Sequence, residues 1–309
     1  LQSLFFNYIN MKNIDITSDI HSYFIYKNFK TIFWDNGVLF QTWDYIIIAW
    51  DIDEEITTIQ KSFDDIINNT NYKKIIITFW NHDIWYNVSD EDFNITDSIS
   101  KYEFLINHFH GYKDKIHVID KEDFIIPEAN QILTWNMGWY NYSIRDVDKF
   151  YLEKYYQVNF DKMSFWSTVF NDRRYVKFNE KIRWNLEFSK YLEDKLVERL
   201  GNIKKYYNNY EIIAISHIKP SNELEKDSQY YFDYSPEKWE EIIKDWEKAT
   251  RLYNLDSIYW NAFYINNNLS KIYEKYWVKY AVYWHTHYNW SENINGVEYI
   301  TKAFWYYHG

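Results

Sequence analysis

Apolar residues along this chain fall into short runs, and these runs break off on side chains that bind metals or protons. The clearest run is 73–83, Lys-Lys-Ile-Ile-Ile-Thr-Phe-Trp-Asn-His-Asp. Its three consecutive isoleucines, bounded by polar residues, predict a parallel strand over 73–79 that is covered on both faces. The strand runs into Asn81, His82 and Asp83, where the backbone leaves the sheet. In open α/β sheets ligands bind at that edge, outside the carboxyl ends of the strands. The pattern recurs: 13–18 leads to Asp19 and His21, 44–49 to Asp51, 211–216 to His217, and 280–283 to His285 and His287. Together these ends offer carboxylate, amide-oxygen and imidazole donors, a set that suits divalent metals.

Between the runs the period changes to that of helices. Residues 58–68 carry Ile59, Phe63, Ile66 and Ile67 on one helical face, and Asp53, Glu54 and Glu55 read as the solvated start of that helix. Further helices are predicted near 98–108, over 186–200, and over 235–252 behind Ser235-Pro236. A short strand is predicted at 116–119, and Asn295-Gly296 between apolar runs predicts a type I′ hairpin over 294–300. His108, His110 and His117 follow no strong buried strand and read as surface or loop residues. Arg173 and Arg174 allow two readings, bidentate phosphate contacts or a surface ion pair. No linker or repeat divides the chain, so 11–309 reads as one domain. Met11 opens the first strand directly, and 1–10 reads as an upstream extension.

The ordered set Asp19-x-His21, Asp51, Asn81-His82-Asp83, His217, His285-x-His287 resembles the calcineurin-like metallophosphoesterases over roughly residues 13–305. Their pattern is D-x-H, G-D, G-N-H-D, H, G-H-x-H. The resemblance implies an α/β fold, a four-layer α-β-β-α sandwich of two mixed β-sheets flanked by helices. It implies two divalent transition-metal ions, with Asp19, His21, Asp51 and His287 around one and Asp51, Asn81, His217 and His285 around the other. It also implies hydrolysis of a phosphomonoester or phosphodiester, by in-line attack of a metal-bridging hydroxide. His82 would face the substrate as the catalytic group, oriented by Asp83. The imidazole-rich donors favour Mn, Fe, Zn or Co over Mg or Ca.

The chain departs from that pattern in one consistent way. Where the family has glycine before a ligand, this chain has Trp50, Trp80 and Trp284. Glycine serves there because the backbone turns sharply close to a ligand. At ordinary usage of about 7% glycine a chain of this length would carry roughly 22, whereas it has 6 Gly and 16 Trp. A gene in which UGA encodes glycine, conceptually translated as tryptophan, accounts for both observations. Trp277, after a helical run and before a strand, falls where a glycine is expected at the end of a helix. Trp85, Trp139, Trp239 and Trp246 read as true tryptophans. The competing reading is a diverged, tryptophan-rich scaffold that binds without catalysis.

Composition narrows the partners. The 309 residues are 47% apolar, enough for a sizeable core, and carry a net charge of −11. That balance argues against a nucleic-acid-backbone binder and so places a nuclease of the same superfamily third, with a nucleotidase acting on a nucleotide left open. A small phosphoester remains the expected partner, since bound cations would supply local positive charge. There is no cysteine, which fits a reducing, cytoplasmic setting. No apolar run is long enough to predict a membrane-spanning helix.

Overall fold

The computed structural model describes residues 14–18, 44–49, 53–112, 114–143, 153, 171–224, 264–283 and 290–301. Asp19, His21, Trp50, Asp51, Trp284, His285, His287 and the expected helix 235–252 lie outside the described residues, as does the proposed extension 1–10.

The first sheet contains β1 (Ile14–Ser18), β2 (Tyr45–Ala49), β3 (Lys74–Thr78) and β4 (Ile116–Val118), paired in that order and parallel throughout. Its centre is the predicted isoleucine block. Ile46, Ile47 and Ile48 in β2 and Ile75, Ile76 and Ile77 in β3 are all buried. Consecutive burial requires cover on both faces, and helices provide it on one side. Helix α1 (Ile56–Asn69) links β2 to β3 and buries Ile59, Phe63 and Ile66. Helix α2 (Ser98–His110) links β3 to β4 and packs on β4. The two helices meet where Phe63 stands edge-on to Phe109, with centroids 4.6 Å apart. Asp97 starts α2 by accepting the Ile99 and Ser100 amides at 3.0 and 2.9 Å, satisfying donors that a helix N-terminus leaves unpaired.

The second sheet adds β5 (Phe124–Ile126), β6 (Gln131–Asn136), β7 (Glu211–Ser216), β8 (Tyr280–Tyr283), β9 (Trp290–Ile294) and β10 (Val297–Thr301), in the spatial order β5-β6-β7-β8-β10-β9. It is mixed. Strands β6, β7, β8 and β10 run parallel, and β5 and β9 close the edges antiparallel. Helix α3 (Asn185–Tyr206) covers β6, and α4 (Asn267–Lys275) lies against α3. Between the sheets, Tyr45 packs edge-on to Phe124 at 5.5 Å, and Trp80 packs edge-on to Trp135 at 5.0 Å. The expected two-sheet α/β architecture is therefore present, with a wholly parallel first sheet and a mixed second one. Among the described residues no helix is long and apolar enough to cross a membrane.

Two turns report on the chemistry of the sequence. Asn295 and Gly296 both take positive φ, 53° and 86°, as the predicted hairpin turn requires. Trp277 has φ 56° and is 76% exposed. Its amide bonds to the Glu274 carbonyl and that of Val278 to the Tyr273 carbonyl, the paired bonds of a helix end whose left-handed residue is usually glycine. A left-handed conformation costs a side-chain-bearing residue about 1–2 kcal/mol. The Lys204 ammonium above the Trp277 ring, 4.4 Å from its centroid, returns only part of that, about 0.5–1 kcal/mol at an exposed site. Trp277→Gly should therefore stabilise the fold by up to about 1 kcal/mol, a gain that urea unfolding of the two chains would register. A loss of stability on this change would mean the ring makes contacts that outweigh the backbone strain.

Candidate functional site

The strands of the first sheet end flush, because Ser18 pairs with Ala49 and Ala49 with Thr78. The second sheet is aligned likewise, with Ile215 of β7 beside Val282 of β8. Beyond Thr78 the chain turns through residues 79–85. Asp83 Oδ2 accepts the Trp80 amide at 2.9 Å, and the Trp85 amide bonds to the His82 carbonyl at 3.1 Å. Asp83 is fully buried. Its carboxylate thereby closes the turn that presents Asn81 and His82.

Asn81 is 8% exposed. Its Nδ2 donates to Asp172 Oδ1 at 3.0 Å, while its own Oδ1 is buried and accepts no hydrogen bond. The indole Nε1 of Trp85 donates to the same Asp172 oxygen at 2.7 Å. Asp172 belongs to a single helical turn, Asp172–Tyr175, and is 1% exposed. Burial pushes its carboxyl up to about 6, against the pull of the Asn81 and Trp85 donors. His82 is half-buried and stacks on Trp85 with centroids 3.8 Å apart at 25°. Tyr175 stacks on the same indole at 4.9 Å.

From the second sheet, β7 delivers His217, which is 4% exposed. The Trp80 ring, itself fully buried, meets the His217 ring edge-on with centroids only 3.6 Å apart. Aromatic pairs usually rest at 4.5–7 Å, so this contact is compressed. It shows that the ends of β3 and β7 converge across the sheets. Gly138 lies beside the chain that carries His217 out of β7. It has φ 70°, and a Cβ there would fall 2.9 Å from Ile218 Cγ1 and 3.5 Å from the His217 nitrogen.

The frame around the turn carries a buried cation. Lys101 on α2 is wholly buried, donates to the carbonyls of Glu54 and Trp85, and pairs with Asp90 at 3.0 Å. Desolvation lowers its pKa even though Asp90 opposes the shift. It ties the segment after β2 to the segment after β3. At the end of β4, Asp120 accepts from Tyr102 Oη and from Trp135 Nε1. Burial raises its carboxyl to about 6.

Of the residues expected at the site, the structure gathers Asn81, His82 and Asp83 at one edge, with Trp80 carrying the contact to His217. Arg173 and Arg174 follow Asp172 on its helical turn, and both are exposed. His117 corrects the surface-or-loop reading and falls within the strand expected over 116–119. It lies in β4 opposite Ile76, its Nε2 is 3.0 Å from the Glu122 carbonyl, and burial lowers its pKa. His108 packs along Phe104, half-buried, with Gln60 at 3.1 Å. Among the described residues no group of three or more His, Cys, Asp or Glu side chains could by itself hold a metal ion. The described donors do fit one chemically. Asn81 presents a buried acceptor oxygen without a donor, and His217 brings an imidazole to the same edge. The Trp80 ring, pressed against that imidazole, does not fit.

Asp172 and Lys101 were not anticipated as site residues. Lys101 had a signal, because it sits four residues before Leu105 on the apolar face of α2. Asp172 reaches Asn81 from 91 residues away, and no periodicity reports such a contact.

No family model matches the chain, and no curated protein does. Among solved structures it is similar to the crystal structure of phosphopantetheinyl hydrolase (PptH) from Mycobacterium tuberculosis. The TM-score is 0.62 and the identity 14%, over 94% of this chain and 89% of that one.

Proposed function

We propose that this chain is a binuclear metal-dependent phosphoesterase acting on a small phosphomonoester or phosphodiester. The observation that carries the reading is the meeting of Trp80, which leads into Asn81-His82-Asp83, with His217 at the ends of β3 and β7, together with an Asn81 Oδ1 that is buried without a donor. The fold likeness to a phosphopantetheinyl hydrolase supports a phosphate-containing substrate.

Asp19, His21, Asp51 and His287 would hold one ion, and Asp51, Asn81, His217 and His285 the other, with Mn, Fe, Zn or Co suiting this donor set. When bound, such a pair supplies Lewis acidity and a water ionised near neutral pH. The protein's own groups do the rest. His82 gives a proton to the leaving oxygen, and Asp83 sets the turn that aims it. Trp85 keeps the imidazole in one plane by stacking, and the exposed Arg173 and Arg174 beside Asp172 would contact the phosphate. We also propose that positions 50, 80 and 284 are glycine in the natural protein. The compressed Trp80–His217 contact and the left-handed Trp277 support this.

A second reading, a scaffold that binds without catalysis, draws on the full burial of Trp80 against His217. Elemental analysis separates the two. The chain with glycine at 50, 80 and 284, purified after growth with Mn²⁺, should hold two transition ions, and Asp51→Asn and His217→Ala should each lower that number. A chain that holds none, or variants that keep both ions, would rule the enzyme out.

A further inference from the structure

We propose that Asp172 is a positioning residue that sets the Asn81 carboxamide and the His82 imidazole together, through one carboxylate oxygen. The proposal rests on the phosphoesterase reading and extends it to a residue outside the family motifs.

A carboxamide can present either end to its surroundings. A carboxylate only accepts hydrogen bonds, so Asp172 Oδ1, 3.0 Å from Asn81, selects the amino end. The Asn81 oxygen is then turned the other way, which leaves it buried with no donor. That is the orientation a cation needs. The same Asp172 oxygen takes the Trp85 indole N–H at 2.7 Å. Trp85 is the surface on which His82 stacks, 3.8 Å away. Fixing the indole therefore fixes the plane of the imidazole.

Asp172 is itself held firmly. Tyr175, on the same helical turn, also stacks on Trp85, and its carbonyl accepts the Tyr86 amide at 2.8 Å. Two residues on, the Lys177 carbonyl accepts the Ser98 amide, also at 2.8 Å. The 171–178 segment is thus bolted to the start of α2 and to the turn it braces. Loss of the acceptor would free the carboxamide to rotate and the indole to tilt.

The test uses the full chain with glycine at 50, 80 and 284. Bound Co²⁺ is read by elemental analysis and by its visible absorption, and hydrolysis by release of phosphate from an alkyl phosphate, whose leaving oxygen needs the His82 proton. Asp172→Leu, close in shape but without an acceptor, should lose one of two Co²⁺ ions and at least about 10-fold in kcat, with KM within about 3-fold. Asp172→Asn, which keeps an acceptor oxygen, should retain both ions and most of the rate. If Asp172→Leu does not fold, Trp85→Phe decides. It removes the indole donor and narrows the ring on which His82 stacks, and should keep both ions while kcat falls several-fold. Two ions, an unchanged Co²⁺ spectrum and full kcat in Asp172→Leu, or unchanged kcat in Trp85→Phe, overturn the proposal alone. A parent chain that binds no Co²⁺ overturns the phosphoesterase reading, and this proposal with it.

Discussion

With glycine at positions 50, 80 and 284, the chain should hydrolyse an aryl phosphate in Mn²⁺ at least about 100-fold faster than the tryptophan-bearing chain, because binding the ions is a precondition of the chemistry. At position 80 the obstruction is direct. The Trp80 ring lies within 3.6 Å, centroid to centroid, of an imidazole expected to bind metal. A buried tryptophan in an ordinary core would be missed: its truncation commonly costs about 3–5 kcal/mol, because an apolar cavity is left behind. Here the space freed by glycine would be bordered by His217 on one side and Trp135 on the other. With an imidazole in its wall and Asn81 next in the chain, such a space can take up an ion or water rather than stay empty. Overpacking at a tight turn carries its own cost, about 1–3 kcal/mol. The two accounts therefore differ in sign. If Trp80 is native core, Trp80→Gly lowers the unfolding free energy and yields no activity. If glycine is native, metal binding and activity appear, and Mn²⁺ raises the midpoint of thermal unfolding. Codons reading TGG at 50, 80 and 284 would dispose of the recoding account without any assay.

How much of this was legible before the structure depended on the range of the forces involved. The strands were legible because parallel strands covered on both faces demand unbroken apolar runs, and Ile46–48 and Ile75–77 have them. Their shared edge was legible because parallel strands put their carboxyl ends together. The Asn295-Gly296 turn and the glycine-like position of Trp277 followed from backbone conformation alone. Strands β5 and β6 were not anticipated. The first has three residues, and the second alternates its apolar residues with Thr134 and Asn136, both buried. A buried polar residue breaks the pattern that marks a strand. Asp172 was hidden for a different reason. In sequence it is one acid beside two arginines, and only tertiary contact gives it Asn81 and Trp85 as partners. His117 lies in the strand expected over 116–119, but its half-burial was not legible, because that depends on its contact with the Glu122 carbonyl and the Phe124 ring.

His82→Ala, made in the glycine-bearing chain, should leave both metal ions in place and lower kcat by about 10²- to 10⁴-fold on an alkyl phosphate, the range typical of a lost general acid. The two halves of the result follow from where His82 sits. Its imidazole stacks on Trp85. Removing it takes away no ion donor and leaves the turn intact, because the Asp83 bond to the Trp80 amide does not involve it. What is lost is a proton for the departing oxygen. An alkoxide is a poor leaving group and needs that proton, whereas p-nitrophenolate leaves readily without it. The defect should therefore shrink toward unity on p-nitrophenyl phosphate, and adding imidazole should restore part of the alkyl-phosphate rate. Equal losses on both substrates would assign His82 to transition-state charge stabilisation instead, and loss of an ion would make it a ligand. Unchanged rates in a chain carrying both His82→Ala and Asp51→Asn would remove the phosphoesterase assignment from this edge of the sheets.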